Sequence, residues 1–198
     1  MDVRVINTVD GEMFSQIAKL HYDSLSYRSF ITLFGVDFLR KIYEAIVMER
    51  LGFFVVAVET NALKGFLLGL TDSTQLTKII FKRILNFLPM LISGLIKHPG
   101  AIRYLWETVF YADKEGGEIK PELLVMAVQE EHRSQGIGSA LVRKLDEEFR
   151  KKGIHHYKVT VHQEMKRSIH FYERNCMSFK KPFRLYGHVW NVYVRDFD

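Results

Sequence analysis

The sequence has a single cysteine, Cys176, so the chain cannot form an internal disulfide. Scarcity of cysteine is typical of proteins that fold in a reducing compartment, and we therefore expect a cytoplasmic protein. The first ten residues are polar and mixed, which is not the pattern of a secretory signal. Only four prolines occur, and no stretch rich in proline, glycine or serine suggests a linker between domains.

Blocks of like charge and basic stripes with interleaved aromatic residues are also missing, so we do not expect nucleic-acid binding. The formal net charge of +5 instead suits a small anionic ligand. No pair of histidines has the HxxH or HExxH spacing, and we predict no metal site. The most apolar run, Ile84 to Ile96, is too short and too interrupted for a membrane span.

What the sequence does contain is enough apolar residue for a sizeable core. With 198 residues and 47% hydrophobic content, residues 1–198 fit a single α/β domain. The predicted order is a strand at Val3–Ile6, a helix after Asp10, a helix over 35–50, and a hairpin of Phe53–Glu59 with Lys64–Thr71. Tyr22 to Thr32 is rich in serine and tyrosine and is expected to turn.

The stretch from Glu122 to Val142 is the most informative part of the chain. The apolar run Leu123–Val128 predicts a buried strand, and helical spacing of apolar residues resumes after Gly136 and Gly138. A glycine turn that opens a helix exposes backbone amides to a phosphate, and Arg133 would add a full charge. The alternative is a strand–turn–helix connection whose glycines only allow tight packing.

Two common phosphate loops do not fit this stretch. A Walker loop requires Gly-Lys-Ser/Thr, and no such triplet follows. A dinucleotide fingerprint requires a third small residue where Leu141 stands and an acidic residue where Lys158 stands. The remaining pattern is Arg-x-x-Gly-x-Gly after a strand.

That pattern resembles the pyrophosphate loop of the GNAT superfamily, the acyl-CoA-dependent N-acetyltransferases. A second match is Ser168-Ile169-His170-Phe171-Tyr172-Glu173-Arg174, which resembles the A-x-x-F-Y-E-K helix of that family. The resemblance is good over 122–194, weaker over 1–70 and absent over 72–120. It implies a mixed α/β sheet of the α+β type, with splayed central strands and a helical insertion.

The resemblance also implies which residues hold the co-substrate, acetyl-CoA. The strand would hydrogen-bond the pantetheine through its backbone, and the loop and first helical turn would hold the pyrophosphate. These cofactor-binding candidates are Met126, Ala127, Val128, Arg133, Ser134, Gln135, Gly136, Ile137, Gly138 and Ser139. A backbone amide near Val128 would stabilise the oxyanion.

Three side chains are candidates for the proton transfers. Tyr172 matches the family's proton donor to the departing CoA sulfur, and a core aromatic residue is the alternative. Glu122 matches the family's catalytic glutamate, and strand alternation would place it on the face of Leu124, Met126 and Val128. A charged strand end is the alternative for Glu122. His162 or a chain of waters could serve as the base instead.

In this family the loop after the first helix lines the acceptor pocket, which implies four further candidates. They are His21, Tyr22, Tyr27 and Arg28, each of which could also be ordinary surface.

Two positions depart from the family's pattern. Met165 replaces the usual asparagine that contacts CoA, and Ser178 replaces the glycine before Phe179.

The insertion, about 72–120, contains two predicted helical runs, 75–96 and 99–110. It could be an arm packed on the domain, a homodimer interface, or a basic amphipathic helix on a membrane surface.

The expected function is acetyl transfer from acetyl-CoA to a primary amine of a small molecule or protein. A non-catalytic CoA-binding module that binds a partner or membrane, and a transferase for longer acyl chains, remain alternatives.

Overall fold

The computed structural model describes residues 1–26, 29–104, 107 and 119–197. Its strands form one mixed sheet in the order β1-β2-β3-β4-β5-β7-β6. Neighbouring strands are antiparallel, except for β4 and β5, which are parallel. The strands are β1 (Asp2–Ile6), β2 (Gly52–Glu59), β3 (Ala62–Leu70), β4 (Glu122–Val128), β5 (His156–His162), β6 (Ser178–Leu185) and β7 (His188–Asp196).

The helices alternate with these strands much as the sequence predicts. They are α1 (Gly11–Leu25), α2 (Val36–Met48), α3 (Leu76–Lys82), α4 (Ile84–Lys97), α5 (101–104), α6 (Ile137–Lys151) and α7 (Lys166–Arg174). The Asp10 side chain caps α1 by accepting hydrogen bonds from the N–H groups of Glu12 and Met13. Helix α1 extends to Leu25 because its apolar spacing continues through Leu20 and His21.

The two faces of the sheet are covered by different helices. One core cluster joins β2 and β3 to α1, α2 and α4, and this side is called the α1/α2 face. The other joins the sheet to α6 and α7, and this side is called the α6/α7 face. Strands β2 and β3 are buried on both faces, which is why they read as nearly continuous apolar runs.

The two central strands separate after a short contact. Strand β4 pairs with β5 only at Glu122–Lys158 and Leu123–Val159. Beyond these pairs β4 keeps its ladder with β3, and β5 keeps its ladder with β7. The expected splay of the central strands is therefore confirmed, and the gap widens toward Val128.

A β-bulge at Leu124 changes which side chains of β4 share a face. The register with β3 skips Leu124, since Leu68 pairs with Val125 and Gly69 with Leu123. Leu123 and Met126 pack in the α6/α7 cluster, whereas Ala127 packs in the α1/α2 cluster.

The bulge also fixes the orientation of the first residue of β4. Directly paired residues of antiparallel strands face the same side, and Glu122 pairs with Leu70 of the α1/α2 cluster. The expectation that Glu122 shares a face with Met126 and Val128 is therefore wrong. Simple alternation from the sequence could not reveal the extra residue in the strand.

The excursion between β3 and β4 is closed at its base, because the Ser73 N–H donates to the Lys120 carbonyl over 2.8 Å. Its helix α4 packs on the domain through Phe87 against Phe38, with ring centroids 5.6 Å apart. The single helical run predicted over 75–96 is divided into α3 and α4 at Arg83. There the backbone leaves helical geometry, and the guanidinium is bound to Glu49 over 2.6 Å.

No single helix in the described part of the chain is long and apolar enough to cross a membrane. The segments Ser73–Lys82 and Ile84–Lys97 have sufficient length and composition only as a pair, and that pair is bent by 88°.

Candidate active site

The loop between β4 and α6 adopts the backbone geometry of an anion cradle. Ser134 and Gly136 both have positive φ, 62° and 81°, with Gln135 between them. Gly136 is the N-cap of α6 in the left-handed region, which a glycine adopts without a steric penalty. Alternation of this kind turns successive N–H groups toward one side of the loop.

The first turn of α6 leaves its amides available. The first helical hydrogen bond runs from the Ala140 N–H to the Gly136 carbonyl over 3.0 Å, so the N–H groups of Ile137, Gly138 and Ser139 have no helical acceptor. No side chain caps Gly136, and no acidic residue lies in this turn. The positive end of the helix dipole therefore faces the loop without compensation by a carboxylate.

The two glycines of the motif have different roles. A Cβ at Gly136 would meet nothing within 4 Å, so the space in front of this backbone is open. A Cβ at Gly138 would lie 3.0 Å from Cε2 of Phe171, so this glycine allows α7 to approach α6. Gly136 therefore leaves space for a ligand, whereas Gly138 allows tight packing of two helices.

Arg133 and Gln135 shape the loop and still reach solvent. The Arg133 Nε donates to the Val128 carbonyl over 3.2 Å, which ties the loop to the end of β4. The Gln135 amide donates to the Glu131 carbonyl over 3.1 Å. Both residues are exposed, so the Arg133 guanidinium can meet a phosphate while its Nε holds the loop.

The unpaired part of β4 supplies a second backbone surface. Over Leu124 to Val128 the strand bonds only to β3, so alternate backbone groups point into the gap toward β5. Met126, Ala127 and Val128, the predicted pantetheine ligands, lie in this part of the strand. An extended amide-bearing chain could pair there as an additional strand would.

Tyr172 lies in α7 within the α6/α7 cluster and is 7% exposed. Burial raises the pKa of its phenol above the usual range, so the hydroxyl remains protonated at neutral pH. Among the described residues no hydrogen bond to this hydroxyl is found, and it is not one of the fully enclosed polar atoms. A protonated, unengaged hydroxyl is suited to donate to a thiolate.

Glu122 lies at the apex of the gap, on the α1/α2 face. It is 7% exposed, and its Oε2 lies 3.7 Å from the Nζ of Lys158 on the facing strand. The Thr160 hydroxyl donates to its Oε1 over 3.5 Å. Burial raises the pKa of the Glu122 carboxyl, and the positive charge of Lys158 opposes that increase.

His162 lies two positions beyond Thr160, on the same face of β5. Its Nδ1 accepts a hydrogen bond from the Glu164 N–H over 3.2 Å. Its ring lies against those of His188 and Trp190, with centroids 5.0 and 5.3 Å away. Since Nδ1 is an acceptor here, the neutral ring carries its proton on Nε2.

Glu122 and Tyr172 therefore belong to opposite faces of the sheet: Glu122 lies at the last paired residues of β4 and β5, and Tyr172 packs in the α6/α7 cluster. A group inserted between β4 and β5 would be accessible to a base on the α1/α2 side and to an acid on the α6/α7 side. The arrangement can support an addition from one face and the departure of a leaving group toward the other.

The acceptor-side candidates are only partly brought to this region. Tyr22 is exposed near the end of α1, and Tyr27 and Arg28 lie outside the described residues. His21 is a core residue and does not line an acceptor surface. It is 5% exposed, its Nδ1 is hydrogen-bonded to the Tyr43 hydroxyl, and burial lowers its pKa to about 4.

Two features of the site were missed by sequence reasoning. Lys158, the buried partner of Glu122, could have been noticed as a charged residue within an apolar strand. Phe30, Tyr104 and Tyr186 form an aromatic cluster with ring centroids 5.2 to 6.0 Å apart. This cluster joins the connection after α1, the insertion and the β6–β7 turn, and no local signal relates three such distant segments.

No group of three or more His, Cys, Asp or Glu side chains that could hold a metal ion is found in the described part of the chain.

A family model described as "Acetyltransferase (GNAT) family" matches residues 22–176. No curated protein matches the chain at a significant level.

Solved structures with the same fold cover nearly the whole chain. The PaiA N-acetyltransferase from Thermoplasma acidophilum, in complex with coenzyme A, is 14% identical, with a TM-score of 0.61 and 100% of each chain covered. A ribosomal-protein-alanine N-acetyltransferase from Brucella melitensis is 13% identical, with a TM-score of 0.64 and 99% coverage of each chain. An N-acetyltransferase from Staphylococcus aureus Mu50 is 12% identical, with a TM-score of 0.61 and 99% coverage of each.

Proposed function

Since the chain belongs to the GNAT family of acetyltransferases, we propose that it transfers acetyl from acetyl-CoA to the primary amine of an acceptor by direct attack. The observation that carries the proposal is the gap between β4 and β5 with the uncapped α6 amides at its mouth. The pyrophosphate would lie on the loop around Gly136, and the pantetheine would lie along the free edge of β4. The thioester would then reach the region between Glu122 and Tyr172.

The proposed reaction forms a C–N bond and breaks a C–S bond. The neutral amine attacks the thioester carbonyl from the α1/α2 face, and an amide N–H of β4 stabilises the oxyanion. Collapse of the tetrahedral intermediate breaks the C–S bond, and the Tyr172 hydroxyl gives its proton to the sulfur. The amine proton leaves to the base, so that the products are an amide and the free thiol of CoA.

Glu122 is the better candidate for the base. Burial raises the pKa of its carboxyl, so this pKa is closer to the working pH than the pKa of an ordinary glutamate. His162 would have to accept a proton on Nδ1, which is already engaged by the Glu164 N–H. Glu122 is buried, so one water would relay the proton from an amine bound above Thr160.

The deciding experiment measures free thiol released from acetyl-CoA in the presence of a panel of small amines, amino sugars and peptide amines. Thiol release that depends on one acceptor class, with the acetylated product seen by mass spectrometry, would support the proposal. Binding of acetyl-CoA without acceptor-dependent release would favour the non-catalytic module, for which the apolar packing of Met165 is the supporting feature. Faster release from longer acyl thioesters would favour the long-chain transferase.

A further inference from the structure

The helix α4 is apolar on two opposite sides, and only one of them is covered by the domain. Phe87 and Leu91 face the core and are 2% and 8% exposed, and Gly94 packs against Phe34. The opposite side carries four apolar residues within about 80° of arc, at 100° per residue. These are Leu85, Leu88, Ile92 and Ile96, which are 79%, 42%, 49% and 76% exposed.

This outer side of α4 is not an isolated stripe. The neighbouring helices of the same arm also expose large apolar side chains, Phe81 in α3 at 55% and Ile102 in α5 at 61%. Met48 of α2, 58% exposed, meets the arm at Arg83, where its sulfur lies 4.0 Å from Nη1. The outer apolar patch is defined here as the four exposed residues of α4, to which Phe81, Ile102 and Met48 add exposed apolar surface on or beside the same arm, and a large exposed apolar surface indicates an interaction site.

The charges of residues 73–104 have one sign, whereas Asp72 and Glu107 flank this range. Residues 73–104 contain five basic residues and no aspartate or glutamate; the basic residues are Lys78, Lys82, Arg83, Lys97 and Arg103. Lys82 and Arg83 bind Glu49 of α2, and Arg103 binds Glu107. Within the described residues Lys78 and Lys97 form no ion pair, and both are exposed.

From this combination we propose that the outer apolar patch docks on the surface of an anionic lipid bilayer, with α4 lying in the plane of the interface. Lysines and arginines beside an apolar helix face are complementary to acidic headgroups above an acyl layer. A second copy of the chain would instead bring two sets of cations together. No single helix of the described arm has the length of a span, since α4 with its 14 residues is about 21 Å long and α3 turns away from it by 88°.

The first test is co-sedimentation of the full chain with vesicles of phosphatidylcholine alone and of phosphatidylcholine with phosphatidylglycerol. Binding to the anionic vesicles is expected, and the double variant Leu85→Glu/Ile92→Glu should weaken it at least about tenfold. Both side chains are exposed, so folding should be retained and is checked by thermal melting. The matched control is Val9→Glu/Phe179→Glu, which replaces two exposed apolar residues outside the arm and should bind as the unmodified protein does.

The second test separates the charge contribution. Lys78→Gln/Lys97→Gln removes two exposed cations of the arm, at up to about 1 kcal/mol each, so binding should fall by up to about thirtyfold at low salt. Lys152→Gln/Lys181→Gln removes two exposed cations elsewhere and should change it little. Added salt should reduce the binding of the unmodified protein. It should also reduce the difference in binding between the unmodified protein and Lys78→Gln/Lys97→Gln.

Three results would overturn the proposal. The first is an unmodified protein that remains in the supernatant with both kinds of vesicle. The second is binding that the Leu85→Glu/Ile92→Glu variant retains in full. The third is a concentration-dependent dimer that the same variant abolishes in the absence of vesicle binding, which would assign the patch to a second copy of the chain.

Discussion

At the scale of single residues, the proposed mechanism depends on two side chains whose protonation is shifted by burial. Burial raises the pKa of both Glu122 and Tyr172, but with different chemical consequences. The phenol is held in its donor form, whereas the carboxyl is moved toward a pH at which it can both accept and release a proton. The bulge at Leu124 places them on opposite faces of the sheet, so each can act on a different bond.

Replacing Tyr172 with phenylalanine should slow turnover by about a hundredfold or more, because a positioned proton donor contributes about 10²- to 10⁴-fold. The dissociation constant for acetyl-CoA, measured by calorimetry, should stay unchanged. Tyr193→Phe is the matched control, since it also removes a hydroxyl from the α6/α7 cluster, one bonded to Glu173. Equal turnover in Tyr172→Phe and the unmodified protein would remove Tyr172 from the mechanism.

The pH dependence of kcat/KM should identify the base. A carboxylate must be ionised to accept a proton, so kcat/KM should decline as the pH falls through a pKa above the ordinary 4.5 of glutamate. Glu122→Gln should lower the rate and abolish this acidic limb. A limb that persists in Glu122→Gln and disappears in His162→Gln would assign the base to the histidine.

His21 gives a separate prediction for stability. Its folded pKa of about 4 lies below the ordinary 6.5, so between these values the unfolded chain binds a proton that the folded chain does not. The contribution of His21 is complete above about pH 6.5 and is lost as the pH falls through 4, a total of about 3 kcal/mol. The free energy of unfolding in urea can be measured at pH 7.5 and at pH 4.5. Between these values it should fall less for His21→Leu than for the unmodified protein.

At the scale of elements, the strand–loop–helix unit of β4 and α6 is where we propose that acetyl-CoA binds. The strand ends in free backbone groups, the loop turns two residues to positive φ, and the helix begins without a cap or a carboxylate. Each of these features would be a defect in a purely structural connection. Together they leave a row of donors for an anion that the chain itself does not supply.

Gly136→Asp should abolish measurable binding of acetyl-CoA, because it places a negative side chain in the open space before the amides. The backbone strain alone should cost about 1 kcal/mol of stability. Gly153→Asp is the control for this strain, since Gly153 also has positive φ, 70°, and open space around it, at the other end of α6. Normal affinity in Gly136→Asp would contradict the placement of the pyrophosphate on this loop.

At the scale of the whole molecule, the arm of α3, α4 and α5 extends the α1/α2 face and connects it to the far side of the sheet. Phe34 and Phe38 hold α4 at one end, and the cluster of Phe30, Tyr104 and Tyr186 holds the arm near the β6–β7 turn. The arm therefore borders the side of the sheet on which Glu122, Thr160 and His162 lie.

Gly94→Ala tests this packing of α4. The added Cβ would lie 3.0 Å from Cε1 of Phe34 and closer still to Cδ1, and Phe34 is itself buried. Alanine usually stabilises a helix by about 0.8–1.0 kcal/mol relative to glycine, but overpacking here should lower the unfolding free energy by about 1–3 kcal/mol. Gly100→Ala has no atom within 4 Å of its Cβ and is the control. A Gly94→Ala variant as stable as the original would mean that α4 is not fixed against Phe34.

Much of the fold follows from local patterns in the chain. Asp10 before an apolar helical stripe marks the start of α1, and the apolar runs of β2 and β3 mark buried strands, because capping and burial act over a few residues. The break at Arg83 was not predicted; it coincides with an ion pair to Glu49 of α2, a contact between segments far apart in the chain. The bulge at Leu124 was not predictable either, because register belongs to a pair of strands and not to one strand.

By itself the sequence determined the glycine loop and the tyrosine helix, and through them the family, because each is a short segment whose residue types and spacing are recognisable. Only the tertiary structure decided that Glu122 is paired with Lys158, that it lies across the sheet from Tyr172, that His21 is in the core, and that one side of α4 is uncovered. Those facts depend on contacts between residues far apart in the chain. Burial, charge pairing and pKa are set by such contacts, and they exist only once the strands and helices have packed.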